Sequence, residues 1–156
     1  MIVRPATPAD AGQVARLLNQ IIAFGGTTAH QTALTDADLL THFIDGPDVR
    51  CAVVAEDMGR IIGWQSVGLW RDEDHIGPFV MPVVQAQGVG ARMFGLTLDL
   101  ARAAGLPNTM TSVRADNVPG LAYYARIGFV DVGFDPAFAL EGGQVVGRVH
   151  RRFDVV

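Results

Sequence analysis

At 156 residues, 49% hydrophobic and 18% charged, the chain is sized for one compact domain spanning residues 1–156 that buries roughly two thirds of its unfolded surface. A formal charge of -4 supplies no field for gathering a phosphate backbone, so no nucleic-acid partner is expected, and the densest basic stretch, Arg148-Val149-His150-Arg151-Arg152, reads as a solvated strand face. All 12 basic residues are arginine, which removes Schiff-base chemistry and the P-loop lysine, and the single Cys51 excludes an intrachain disulfide and a multi-cysteine zinc site.

The opening MIVRPATPAD lacks the apolar core of a signal peptide, so a cytoplasmic protein with no membrane partner and no metal is expected. MIVRPA reads as a first strand. A helix follows, with Thr7 as its N-cap, Pro8 at its first position, Val14, Leu17, Leu18 and Ile21 on one face, and Gly25 and Gly26 at its end. Thr35 caps a second, shorter helix predicted to run to about Ile44, before Gly46 and Pro47. CAVVAE and RIIGWQSVGLW flank Asp57-Met58-Gly59 as a hairpin, and HIGPFVM should pair onto it. After Gly90 the period changes to that of a long helix through Met93, Phe94, Leu96, Leu98, Leu100 and Ala101, stopped at Gly105 and Pro107. NTMTSVRA is a strand, NVPGLAYYARIG a short helix closed by Gly128, and FVDVGF and GRVHRRFDV are two more strands. The order β-α-α-β-β-β-α-β-α-β-β predicts an α/β (α+β) domain, a mixed sheet with helices on its faces.

Residues 83–94, VVQAQGVGARMF, set Gly88 and Gly90 immediately before the long helix. A helix N-terminus carries unpaired N–H groups and about half a positive charge, so a loop with little side-chain bulk there can seat a phosphate. Spacing rejects two phosphate motifs. No G-x-x-x-x-G-K-[ST] exists, and the third glycine and downstream acid of a dinucleotide fingerprint are replaced by Met93 and Met110. Q-x-x-G-x-G remains, from Gln85 to Gly90.

The segment VMPVVQAQGVGARMF, with Val80, Pro82, Gln85, Gly88 and Gly90, resembles the acetyl-coenzyme A motif of the GNAT N-acetyltransferase superfamily, and Asn117, Tyr123, Tyr124, Gly128 and Phe129 resemble that family's second signature. The resemblance implies a GNAT-like, mostly antiparallel central sheet with a bulged strand near residues 75–82. It implies acetyl-coenzyme A as co-substrate, held by Phe79 and Val80 along the pantetheine arm and by backbone amides of Gln85, Ala86, Gln87, Gly88, Val89, Gly90 and Ala91 at the pyrophosphate, with Asn117 contributing from the second signature.

Acetyl transfer to an amine needs a proton acceptor, a donor for the thioester oxygen and a proton for the departing thiolate. By the resemblance Tyr124 is the thiolate acid, Tyr123 packs beside it, and the oxyanion donor is a backbone N–H at or beside Val80. The base stays open between His75, the adjacent Asp74 or Glu73, and a chain of waters. The acceptor is a small-molecule amine: Asn19, Thr27, Thr28 and Ala29 loosely echo the phosphinothricin-type acetyltransferases. Two questions remain open at this point, a homodimer through exposed strands and a non-catalytic coenzyme A-binding module of the same fold.

Overall fold

The computed structural model describes residues 1–25, 32–81 and 87–156. β1 (Ile2–Pro5) leads through a 3-10 turn, Pro8–Asp10, into α1 (Ala11–Phe24). The turn is held where Asp10 Oδ2 accepts from the Thr7 N–H at 2.8 Å, and Gly25 closes the helix at φ 80°. Val14, Leu17, Leu18 and Ile21 are all buried, so the periodicity identifies the packed face. α2 (Asp36–Leu39) is capped by Thr35, whose Oγ1 accepts from Asp38 N at 3.1 Å. It does not continue as α-helix to Ile44. Residues Leu40–Ile44 widen into a π turn closed by Asp45 N–H on Leu40 O at 2.8 Å, and a Cβ at Gly46 would overlap the Thr41 carbonyl. Gly46 therefore packs flush against the helix end it was expected merely to stop.

β2 (Val49–Asp57), β3 (Arg60–Trp70) and β4 (Glu73–Val80) form a meander. Met58 and Gly59, at φ 49° and 76°, make the first two-residue turn, and Arg71 and Asp72, at 50° and 64°, make the second. The second has no glycine to announce it. α3 (Val89–Ala103), β5 (Asn108–Arg114), α4 (Val118–Ile127), β6 (Val130–Ala139) and β7 (Val145–Asp154) complete the chain, in the expected order. The seven strands lie in the order β1-β2-β3-β4-β5-β7-β6, and every neighbouring pair is antiparallel except β4–β5.

Successive strand residues face opposite sides, which sorts the helices. Gly63 meets α3, where an added Cβ would lie 3.0 Å from Met93 Cε, whereas the neighbouring Trp64 meets the π turn with its ring 5.4 Å from that of Phe43. α3 and α4 therefore cover one face, and α1 and α2 cover the other over β2 to β4. Among the described residues, no helix covers the second face of β5, β7 and β6. No helix of the described residues is long and apolar enough to cross a membrane.

Candidate active site

The sheet divides at its one parallel junction. Among the described residues β4 and β5 pair only at His75↔Met110, beside a bond from Thr109 Oγ1 to Asp74 O at 3.1 Å. Beyond that point Ile76–Val80 and Thr111–Arg114 run on without pairing to each other, leaving a cleft between adjacent strands. The bulge expected near residues 75–82 is not the cause. From Glu73 to Val80, β4 keeps an unbroken register against β3, and the register shifts fall in β2, β3 and β6 instead. The reason is the phase of the proline. Met81 N–H bonds Ile62 O at 2.8 Å, so alternate N–H groups back to residue 73 face β3, and Pro78, which has none to give, falls on the opposite phase. Its missing donor and the N–H of Val80 both belong to the cleft side.

α3 opens beside the cleft. Gly88 is its N-cap, left-handed at φ 80°, with no neighbouring atom where a Cβ would stand. Gln87 and Ala91 are exposed beside it, while Val89 is buried against Gly63 and pins the first turn to β3. A helix N-terminus with an open left-handed glycine as cap and no side-chain cap bond fits a pyrophosphate by charge and by space. Gln85 and Ala86 lie outside the described residues, as does Pro82.

Gly90 has a different reason to be glycine. A Cβ there would stand 2.8 Å from Tyr123 Cε2, and the Tyr123 hydroxyl donates to Gly90 O at 3.0 Å. Gln65 Nε2 donates to that hydroxyl at 3.1 Å, so Tyr123 ties α4 to the first turn of α3 and to the buried middle of β3. Burial pushes the Tyr123 phenol up to about 12, against the lowering effect of the Gln65 bond. Gln65 Oε1 is buried with no hydrogen-bond partner among the described residues, an acceptor on the face of the sheet that α3 and α4 cover.

Tyr124 turns the other way along the helix. Its ring packs edge-on to Phe129 and Tyr123, each at 5.1 Å, it is 5% exposed, and its hydroxyl faces the buried Thr111 side chain. Thr111 is the residue after Met110, so this phenol stands where β5 leaves β4. Burial raises it well above the ordinary tyrosine range and keeps it protonated at neutral pH. Asn117 caps α4 by accepting from Gly120 N at 3.1 Å.

On the face opposite α3 and α4, the strands β4, β5, β7 and β6 line an open concavity of about 670 Å³. His75 is in it, edge-on to Trp70 at 5.1 Å and 3.3 Å from Glu73 Oε2; burial lowers it below the ordinary histidine value, outweighing the Glu73 carboxylate. Asp74 is held by Arg50 at 2.8 Å and does not line the concavity. The strand phase thus separates the neighbouring candidates for the base. Phe79 stacks on Trp64 at 5.1 Å, on the same face as His75. The concavity also holds residues outside the sequence-based site: Ser112 Oγ lies 2.7 Å from His150 Nδ1, and the Arg148 guanidinium sits 3.5 Å over the Phe138 ring, its Nε buried with no hydrogen-bond partner among the described residues. The alternation of GRVHRRFDV already placed Arg148, His150 and Arg152 on one face; nothing local could say that this face is concave.

The match to the acetyltransferase (GNAT) family spans residues 15–129. The chain is 28% identical over 153 residues to the mycothiol acetyltransferase of Mycolicibacterium paratuberculosis (strain ATCC BAA-968 / K-10), covering 86% of this chain and 48% of that protein. It is 24% identical to the L-amino acid N-acyltransferase of Escherichia coli (strain K12), over 92% of this chain and 88% of that one. It spans about half the length, or less, of two of the curated relatives it matches. A crystal structure of a GNAT superfamily phosphinothricin acetyltransferase from Sinorhizobium meliloti, in complex with acetyl-coenzyme A, superposes with TM-score 0.82 at 16% identity, over 98% of this chain and 87% of that chain. With a matching sequence signature over most of its length, and with the same fold, the chain belongs to the acetyltransferase (GNAT) family.

Proposed function

We propose that this protein transfers an acetyl group from acetyl-coenzyme A to the amine of a small-molecule acceptor, by direct attack with both substrates bound. The observation that carries the reading is the parting of β4 and β5 at His75↔Met110, with the buried, protonated Tyr124 phenol facing the first residue beyond it. The cleft suits an extended arm taken up as an added strand, since its walls are strand edges. Gly88 and the amides of Val89, Gly90 and Ala91 hold the pyrophosphate, continuing from Gln85, Ala86 and Gln87, while Phe79, Val80 and Asn117 border the arm. Acetyl-coenzyme A supplies the activated thioester. Tyr124 gives its proton to the departing sulfur, and a backbone N–H at or beside Val80 serves the thioester oxygen. Relatives named for an L-amino acid and for phosphinothricin support a small, amino-acid-like acceptor.

Tyr124→Phe tests the reading. It preserves the ring packing and deletes the donor, so kcat on an accepted amine should fall roughly 10²- to 10⁴-fold in single-turnover measurements, with acetyl-coenzyme A affinity nearly unchanged. A phenol buried against Thr111 also suits a purely structural tyrosine in a coenzyme A-binding module. In that case the variant loses about 1 kcal/mol of stability and wild type shows no turnover for it to lose.

A further inference from the structure

We infer that Ser112 and His150 form the proton relay that takes the acceptor's proton, Ser112 touching the amine and His150 acting behind it. The inference rests on the acetyl-transfer reading above. Ser112 lies two residues past Met110, about 7 Å along β5 from the point where β4 and β5 part. It follows Thr111, whose buried side chain faces Tyr124, and consecutive strand residues face opposite sides. β5 thus presents the phenol on the face of α3 and α4 and the serine on the open face, at one height. An amine reaching the cleft from the concavity meets Ser112 first, because His150 is one strand farther out, in register with it on β7.

Both groups are half-buried, and their 2.7 Å contact has the length of a strong hydrogen bond. The charged and titratable groups around His150 are Glu73 and His75 from β4, Arg71 from the β3–β4 turn, Asp135 from β6, and Arg148 and Arg152 on its own strand. Among the described residues no carboxylate is placed against His150 in the way that Glu73 is placed against His75. In the relay the ammonium group donates a proton to Ser112 Oγ while the serine hydroxyl hydrogen passes to His150 Nδ1. The freed nitrogen lone pair forms the C–N bond, the C–S bond breaks, and the sulfur takes the Tyr124 proton. The second amine proton restores Tyr124. One proton is left on His150 and escapes through the concavity to solvent, which balances amide, thiol and one released proton against the ammonium and thioester.

The test combines kinetics with a readout independent of turnover. Ser112→Ala and His150→Gln should each lower kcat/KM about 10²-fold, and the double variant should be no worse than the poorer single one, because the two groups act as a unit. Ser112→Thr, which keeps the hydroxyl, should recover most of the loss, and the acid limb of the kcat/KM profile present in wild type should vanish in His150→Gln. In wild type without substrates, nitrogen NMR of the labelled histidines should show neutral His150 protonated at Nε2, with Nδ1 accepting, a preference that Ser112→Ala removes. The acetyl-coenzyme A thermal shift should match wild type in every variant. Single variants within about threefold of wild type, multiplicative losses, or a proton on Nδ1 of neutral His150 would each overturn the relay. A wild type that binds no acetyl-coenzyme A would instead overturn the parent reading, and the histidine tautomer would still decide whether Ser112 donates to His150.

Discussion

Two glycines that a motif treats as equivalent separate once their surroundings are known. Gly88 is glycine for its backbone: φ is 80° and the Cβ direction is empty. Gly90 is glycine for its neighbour, with Tyr123 Cε2 at 2.8 Å from where a Cβ would stand. Gly88→Ala should therefore cost about 1–2 kcal/mol from left-handed strain alone, and Gly88→Asn, which tolerates that region, should cost less. Gly90→Ala sits in a helix, where alanine is favoured by about 1 kcal/mol, but crowding against Tyr123 should reverse the sign and leave a net loss of about 1–2 kcal/mol. Thermal melts of the three variants without ligand check both statements, and a Gly90→Ala protein as stable as wild type would remove the packing account. Sequence showed that both positions needed to be small. It could not show why, because Tyr123 is 33 residues away and its conformation is set by Gln65.

At the scale of elements, the start of α1 carries the clearest electrostatic device. Asp10 accepts two bonds from Arg4, at 2.9 Å each, and caps the turn at Thr7, while Arg4 also reaches Glu56 at 2.8 Å, joining β1, β2 and the helix entry. The Arg4 guanidinium, more than the Thr7 amide, holds the Asp10 carboxyl below its ordinary value, against a raising effect of burial. A carboxyl that gives up its proton more readily folded than unfolded stabilises the fold fully above the ordinary carboxylate range, and that stability drains away as pH falls through the lowered value. Asp10→Asn should cost about 2 kcal/mol at pH 7, less as the pH falls below about 4, so the two proteins converge in acid denaturation. Parallel curves across that range would assign the loss to shape rather than charge. Thr7-Pro8 announced this helix start and the periodicity its buried face, but Arg4 and Glu56 are paired by a strand register that no local pattern encodes. The same limit hid the π turn after Leu39 and the glycine-free turn at Arg71-Asp72.

Across the whole molecule the order of elements was legible because each depends on local periodicity and turn chemistry, whereas the strand order and the concavity depend on which edges meet. Tyr124 and the glycine turn could be placed from sequence. Ser112 and His150 could not, since their proximity is created by β7 inserting between β5 and β6. If acetyl-coenzyme A binds only the folded state, a concentration 100 times Kd should add about 2.7 kcal/mol, visible as a raised melting temperature that keeps climbing with ligand. No shift at millimolar ligand removes the cofactor assignment. The single pairing of β4 with β5 also fixes how the domain responds to force. β1 to β4 and β5 to β7 are each laced by antiparallel ladders, whose bonds share a shearing load, but among the described residues the two plates pair edge to edge only at His75↔Met110, beside the Thr109–Asp74 bond, and are otherwise joined through α3, α4 and the side chains beneath them. The softest direction of the molecule is therefore the opening and closing of that seam, and any extended chain that bonds to both strand edges would act as a mechanical brace, changing stiffness far more than shape.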